Sequence, residues 1–332
     1  MRLLLMVVVL ASSCSSSPEA TSTLSTATTT TAPLKTAATD PSALPKALAV
    51  HADELVLVGA GDIATCDGPG DSATGKQVQR ILDASANAWA FTTGDNVYPG
   101  GTMEEFRRCY EPAWGAFKQR TLATVGNHDY HTPNAAGFRA TFAGRFSQDG
   151  PLWYAQDVSG VDLDGQPVSW RVVVLDSNCD LIGCGPTSKQ ATWLRAELLH
   201  QKLVGQQCSV VLFHHPRFSS GPHGDATFMA PMWNELAAAG VDLVLAGHDH
   251  IYERFSAMTG DGTLDAVKGM PSITIGTGGK SHYPAPFARQ HSLALSSDDD
   301  GVLVLRLTSR GYTAAMWSTD DEIADVHSGR CR

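Results

Sequence analysis

Positive charge is scarce in this 332-residue sequence: 24 Lys and Arg stand against 34 Asp and Glu, for a formal net charge of −10. That balance argues against a nucleic-acid binder, which needs clustered cations for its phosphate contacts. It leaves phosphorylated small molecules open as ligands, because bound metal ions supply local positive charge. Long apolar runs are also missing. The run over 3–11 falls well short of the roughly 20 residues that a spanning helix requires. No Cys-x-x-Cys occurs, so a sulfur-ligated metal site has no support. No internal repeat is found, which excludes repeat architectures.

The start of the chain is nevertheless informative. Met1-Arg2, the apolar run and Ala11-Ser12-Ser13-Cys14 follow the order of a secretory signal, predicted over 1–13. The small residues ahead of Cys14 resemble a bacterial lipobox, whose cysteine becomes the lipidated first residue. Export as a cell-envelope lipoprotein, or simple cleavage and secretion, is the expectation. Residues 14–46 are dominated by Ser, Thr, Ala and Pro. They cannot bury enough surface to offset chain entropy, and a disordered tether is expected. From 47 to 332 the pattern is that of one globular domain.

Setting Cys14 aside leaves Cys66, Cys109, Cys179, Cys184, Cys208 and Cys331, an even set in a secreted chain. Three disulfides are expected, although six cysteines allow about 15 pairings. Cys179 and Cys184 enclose a short loop and suit a local pair. Tying Cys331 to Cys208 would stop the terminus fraying, which leaves Cys66 with Cys109.

Strands are expected at 55–60, 89–93, 121–125, 210–213 and 241–246, and each ends in a block of polar residues. These blocks are Gly61-Asp62, Gly94-Asp95-Asn96-Val97-Tyr98, Gly126-Asn127-His128-Asp129, His214-His215-Pro216 and Gly247-His248-Asp249-His250. The carboxyl ends of strands are where open α/β sheets place ligands. Further strands are expected at 153–158, 168–175, 272–275, 302–307 and 312–317. Helices are expected at 76–84, at 103–118 with Pro112 breaking or kinking it, and at 229–239 closed by Gly240. A further helix should run from a Thr187–Gln190 capping box to about 203, burying Leu194, Leu198 and Leu199. So many strands with so few helices predict an α/β (α+β) fold of two packed mixed sheets flanked by helices.

The five blocks deliver Asp62, Asp95, Tyr98, Asn127, His214, His248 and His250 to one edge. These oxygen and imidazole donors suit iron, zinc or manganese. Seven are too many for one tetrahedral ion and about right for two ions sharing one carboxylate, the usual device for attacking phosphate esters. Adjacent strand residues face opposite ways, so only one of His214 and His215 should bind metal. His128 is better placed to face the substrate than to share an ion with Asn127. Asp129 either orients His128 or caps the following turn. His223 lies on a loop, and the stretch from Val267 to Arg289, with Gly276-Thr277-Gly278-Gly279 and His282-Tyr283, reads as a cleft wall rather than a source of ligands.

The ordered set Gly-Asp, Gly-Asp-x-x-Tyr, Gly-Asn-His-Asp, His-x-Pro and Gly-His-x-His resembles the calcineurin-like metallophosphoesterase superfamily. The tyrosine narrows the resemblance to purple acid phosphatases, including the tartrate-resistant type. By that resemblance Asp62, Asp95, Tyr98 and His250 would hold iron(III), while Asp95, Asn127, His214 and His248 would hold divalent iron, zinc or manganese. Asp95 would bridge the ions, His214 would be the ligand of its pair, and His128 and His223 would serve catalysis at the phosphate. The implied activity is hydrolysis of phosphate monoesters by a hydroxide held on the metals, with His128 and His223 protonating the leaving alkoxide. A phosphodiesterase or nucleotidase using the same two-metal site is the alternative. A phosphate-binding lipoprotein without catalysis is more distant.

Overall fold

The computed structural model describes residues 44–147, 149–205 and 208–332. The expected signal segment, Cys14 and most of the expected tether lie outside the described residues. Within them, thirteen strands form two sheets. In chain order they are β1 (Val56–Ala60), β2 (Trp89–Thr92), β3 (Thr121–Leu122), β4 (Tyr154–Val161), β5 (Pro167–Val174), β6 (Ser209–Leu212) and β7 (Leu243–Ala246). They continue as β8 (Tyr252–Met258), β9 (Met270–Ile275), β10 (Ser292–Ser296), β11 (Gly301–Thr308), β12 (Gly311–Ser318) and β13 (Ile323–Arg330). The six-stranded sheet has the order β13-β12-β11-β1-β2-β3, and the seven-stranded sheet the order β10-β8-β9-β7-β6-β5-β4. β1, β2 and β3 run parallel, as do β5, β6, β7 and β9, and the remaining pairs are antiparallel. The two-sheet expectation is met.

Continuous apolar strands make sense because both faces of the central strands are covered. Val172, Val174, Val210, Leu212, Leu243 and Leu245 point into the core between the sheets. Their alternating neighbours Val173, Leu175, Val211, Phe213, Val244 and Ala246 point the other way, under the helices Lys189–Val204 and Ala230–Ala239. Each fully buried side chain of this kind contributes about 1.5–3 kcal/mol. Trp170 crosses between the sheets, donating its indole N–H to Thr308 O at 2.9 Å. At the site end, the Gly61 N–H to Ile275 O bond of 2.8 Å stitches the sheets together.

Local differences from the expectations have physical causes. The 103–118 stretch does stay helical, but through a π-helical turn at Phe106–Tyr110 followed by Glu111–Trp114 and a 3-10 segment. Pro112 cannot donate a helical hydrogen bond, and the wider turn accommodates its ring without breaking the run. Phe106, Tyr110, Trp114 and Phe117 are buried, whereas Met103 is exposed. The Lys189–Val204 helix is capped by Ser188, whose hydroxyl accepts from the Ala191 N–H at 3.1 Å. Gln190 does not close a capping box; it exchanges two hydrogen bonds with the Asp176 backbone. Leu194 and Leu198 are buried, but Leu199 lies one step off the apolar face and is exposed. Gly240 closes the Ala230–Ala239 helix with a φ of 82°, as expected. All three expected disulfides form: Cys66–Cys109, Cys179–Cys184 and Cys208–Cys331.

Candidate active site

The carboxyl ends of β1, β2 and β3 in one sheet and of β6 and β7 in the other converge, and their turns carry all seven expected donors. Tyr98 donates its hydroxyl toward Asp62 Oδ1 at 2.8 Å and Asp95 Oδ2 at 2.9 Å, and lies 3.2 Å from His250 Nε2. His214 Nε2 lies 2.9 Å from Asn127 Oδ1, 3.2 Å from His248 Nδ1 and 3.4 Å from Asp95 Oδ1. The seven donors therefore fall into two groups that meet at Asp95, one oxygen on each side.

The turns are built for this crowding. Asp62, Asp95 and His248 all have left-handed backbone, with φ of 57°, 49° and 71°, the kind of strain that accumulates at functional sites. Gly94 combines a φ of +98° with a place where a Cβ would sit 2.5 Å from His214 Nδ1. At Gly247 a Cβ would come within 2.6 Å of Asp62 Oδ2. A side chain at either glycine would push a donor out of place.

The donor chemistry fits cations. The imidazole of His214 presents Nδ1 to the Thr93 carbonyl at 2.9 Å, so Nδ1 carries the donated proton and Nε2 faces the site. There it meets an amide oxygen, a carboxylate oxygen and another imidazole nitrogen, all lone-pair atoms. In the chain alone, a proton on Nε2 is what reconciles them. Burial works against that proton, but Asp95 and Asp62 outweigh it and push His214 up to about 9. Burial likewise opposes the ionised form of Asp95, and the neighbouring imidazoles of His214 and His128 overcome it and hold the carboxyl low. Burial, followed by Asp62 and Asp95, pushes the Tyr98 phenol up. A metal ion at each cluster would replace these protons with positive charge that does not leave. The ligand atoms of Asp62, Asp95 and His214, and separately those of His214, His215 and His248, lie within 4.8 Å of one another. These residues support a dinuclear metal site.

The flanking residues sort themselves by contact. His128 Nδ1 donates to the Pro99 carbonyl at 2.8 Å, which leaves Nε2 facing the site, 4.0 Å from Asp95 Oδ2. Asp129 neither orients His128 nor caps the following turn. Its carboxylate accepts from the Gly126 N–H at 2.8 Å and the Asn96 amide at 2.9 Å, bracing the turn after β2 against the turn after β3. His214 is fully buried among the donors, while His215 turns to Ser177 Oγ at 2.8 Å. Burial pushes the His215 imidazole down to about 3, with His214 adding to it. His223 reaches the site from its loop: its Nδ1 lies 3.0 Å from Asp249 Oδ1 and its ring 4.2 Å from that of His248. That hydrogen bond to Asp249 raises its affinity for a proton.

Several contributors on the expected cleft wall carried no assigned role in the sequence reading. Tyr283 stacks on His250 at 4.0 Å and 10°, and Ser281 Oγ meets His250 Nδ1 at 2.8 Å. Lys280 Nζ stands 5.4 Å from the centre of the Tyr98 ring. All three lie on the segment after the Gly-rich turn, which does form a cleft wall. Its position directly after β9 was the available signal. Asp249, between two histidines of the same block, holds His223 in place.

Residues 54–252 match the family model of the calcineurin-like phosphoesterases. The chain is also similar to purple acid phosphatase 18 of Arabidopsis thaliana, 30% identical over 169 residues, covering 48% of this chain and 36% of that one. It thus spans little more than a third of that relative's length. Among solved structures it is similar to GAP50, the anchor in the inner membrane complex of Plasmodium, with a TM-score of 0.66 at 20% identity over 84% of this chain and 90% of that one. It is similar too to purple acid phosphatase PPD1 from yellow lupin (Lupinus luteus) seeds, with a TM-score of 0.62 at 16% identity over 84% of this chain and 54% of that one. At these identities the two structures speak for the fold alone. The family match covers more than half of the chain and takes in every one of the seven donors. The chain belongs to the calcineurin-like phosphoesterase family.

Proposed function

We propose that the chain is a two-metal hydrolase of phosphate monoesters, of the purple acid phosphatase kind. The observation that carries this reading is Asp95, whose two oxygens face two separate donor groups, one of them containing Tyr98. Asp62, Asp95, Tyr98 and His250 would hold iron(III). Asp95, Asn127, His214 and His248 would hold a divalent iron, zinc or manganese. Bound there, two ions supply an activated water and offset the charge that develops on the phosphoryl oxygens.

The chain's own residues do the rest. Thr93 O fixes His214 and Ser281 fixes His250 in the ring orientation their donor groups need. His128 is anchored through Nδ1, so in its imidazolium form it holds a proton at Nε2, where a departing alkoxide can take it. Asp249 holds His223 beside His248 as a second contact for the phosphate. The amino-acid pattern of residues 1–14 supports export, with Cys14 lipidated; mass spectrometry of the membrane fraction tests this, and an unmodified Cys14 overturns it.

The test of function is one preparation loaded with iron and zinc, assayed on p-nitrophenyl phosphate and on bis(p-nitrophenyl) phosphate. Its visible spectrum is recorded alongside. A broad visible band and faster cleavage of the monoester are expected. A colourless active sample removes the Tyr98–iron assignment. Faster cleavage of the diester replaces the monoester reading with the phosphodiesterase one. Cleavage of neither, with both metals bound, leaves a phosphate-binding protein.

A further inference from the structure

A cleft of about 390 Å3 opens directly beside the donor cluster: Asn127 belongs to both, and His215, the neighbour of His214, also lines it. Its volume lies within the range of about 300–1,000 Å3 typical of small-molecule sites. Two large apolar side chains stand exposed in its lining, Leu181 at 63% and Phe228 at 47%. Phe228 packs edge-on to the His215 ring at 5.6 Å. Tyr130 adds a second aromatic face beside that of Phe228, held by its hydroxyl bond of 2.6 Å to Asp176.

The walls are tied down. Leu181 sits on the short turn Cys179–Ile182, which the Cys179–Cys184 disulfide closes. Phe228 sits on Thr227–Met229, and the sulfur of Met229 lies 3.8 Å from that of Cys179. The spacing between the walls is therefore set beneath the cleft rather than left to two free loops. Asp180 adds a carboxylate to the lining, which disfavours any ligand carrying negative charge there. His131 lines the cleft and packs on His128 at 4.5 Å. The cleft thus adjoins the residue that would protonate a leaving alkoxide, which is where the alcohol half of the ester must sit.

We infer that this cleft is the subsite for the alcohol half of the substrate and that it selects flat, apolar, uncharged alcohols, with Leu181 and Phe228 as the specificity-determining residues. The inference rests on the phosphatase reading and adds the substrate class to it. Burial of an aromatic alcohol between these walls would strengthen binding of such esters without changing how the phosphate is held.

The test compares wild type with the double variant Leu181→Ala/Phe228→Ala on 2-naphthyl phosphate and on glycerol phosphate. Both residues are exposed, so folding is not at stake. The expected result is a loss on the order of tenfold in kcat/KM for the naphthyl ester, with the glycerol ester and inhibition by inorganic phosphate unchanged. Equal loss on both esters, or none on either, overturns the subsite. Calorimetric binding of free 2-naphthol separates the two levels of the reading, because it needs no turnover. Binding by wild type that the double variant loses supports the subsite even where neither ester is hydrolysed, and then only the hydrolase reading falls. No binding by wild type overturns the subsite.

Discussion

The two oxygens of Asp95 serve opposite sides of one site: Oδ1 lies 3.4 Å from His214 Nε2, and Oδ2 accepts from the Tyr98 hydroxyl at 2.9 Å. Asp62 reaches the second group through the main chain alone, its Oδ2 accepting from the His248 N–H at 2.8 Å. Asp95→Asn keeps the volume but replaces one acceptor oxygen by an N–H donor aimed at donors' lone pairs. The expected outcome is loss of metal together with loss of turnover, read by metal analysis and phosphate-ester assay on the same sample. A variant that retains two metals per chain refutes the bridging assignment.

The His128 imidazole is anchored to Pro99 O at 2.8 Å, while its main-chain N–H, which alanine keeps, donates to Asp95 Oδ1 at 2.8 Å. His128→Ala should therefore keep both metals and lose about 10²–10⁴-fold in kcat, the usual contribution of a positioned acid. Wild-type turnover by this variant removes His128 from the mechanism.

Cys208 precedes β6 and Cys331 follows β13, so their disulfide joins the two sheets across a separation of 123 residues. Cys331→Ser should cost about 2–4 kcal/mol, seen as a lower urea midpoint under non-reducing conditions. An unmoved midpoint shows that the terminus is held without the bond.

Asp242 is buried and accepts from the Ser209 N–H at 2.8 Å and the Arg332 N–H at 2.7 Å. Burial nevertheless pushes its carboxyl up to about 6. An unfolded Asp titrates near 3.9, so the folded chain binds this proton more tightly. Its contribution is fully present below about pH 4 and is lost as pH rises through about 6. Asp242→Asn should flatten that fall, measured by denaturant unfolding across the interval. Parallel curves for wild type and variant refute it.

The site was legible to the extent that chemistry followed strands. Asp62, Asp95, His214 and His248 each come directly after an apolar run, and a buried strand must end where its polar turn begins. The edge strands were harder. β13 alternates half-buried and exposed residues, and its Ile-Ala-Asp-Val-His-Ser-Gly-Arg sequence carries too little apolar character to announce a strand. β10, at the edge of the other sheet, was missed for the same reason; β8 lies inside that sheet and was missed because its buried Glu253 and its Arg254 find their partners, Ser220 and Asp325, only after the sheet is assembled.

The sequence alone determined the donor types, their order along the chain, the strands that carry them and the local Cys179–Cys184 pair, because these follow from local periodicity and from chemistry read within a few residues. Tertiary structure alone decided that Asp129 braces two turns, that Leu199 stays outside the core, and that Tyr283 stacks on His250. It also brought Leu181 and Phe228, 47 residues apart, to one cleft. Those outcomes depend on how two sheets and their loops pack in space, and no spacing along one chain encodes a contact between segments whose meeting point is set by all the others.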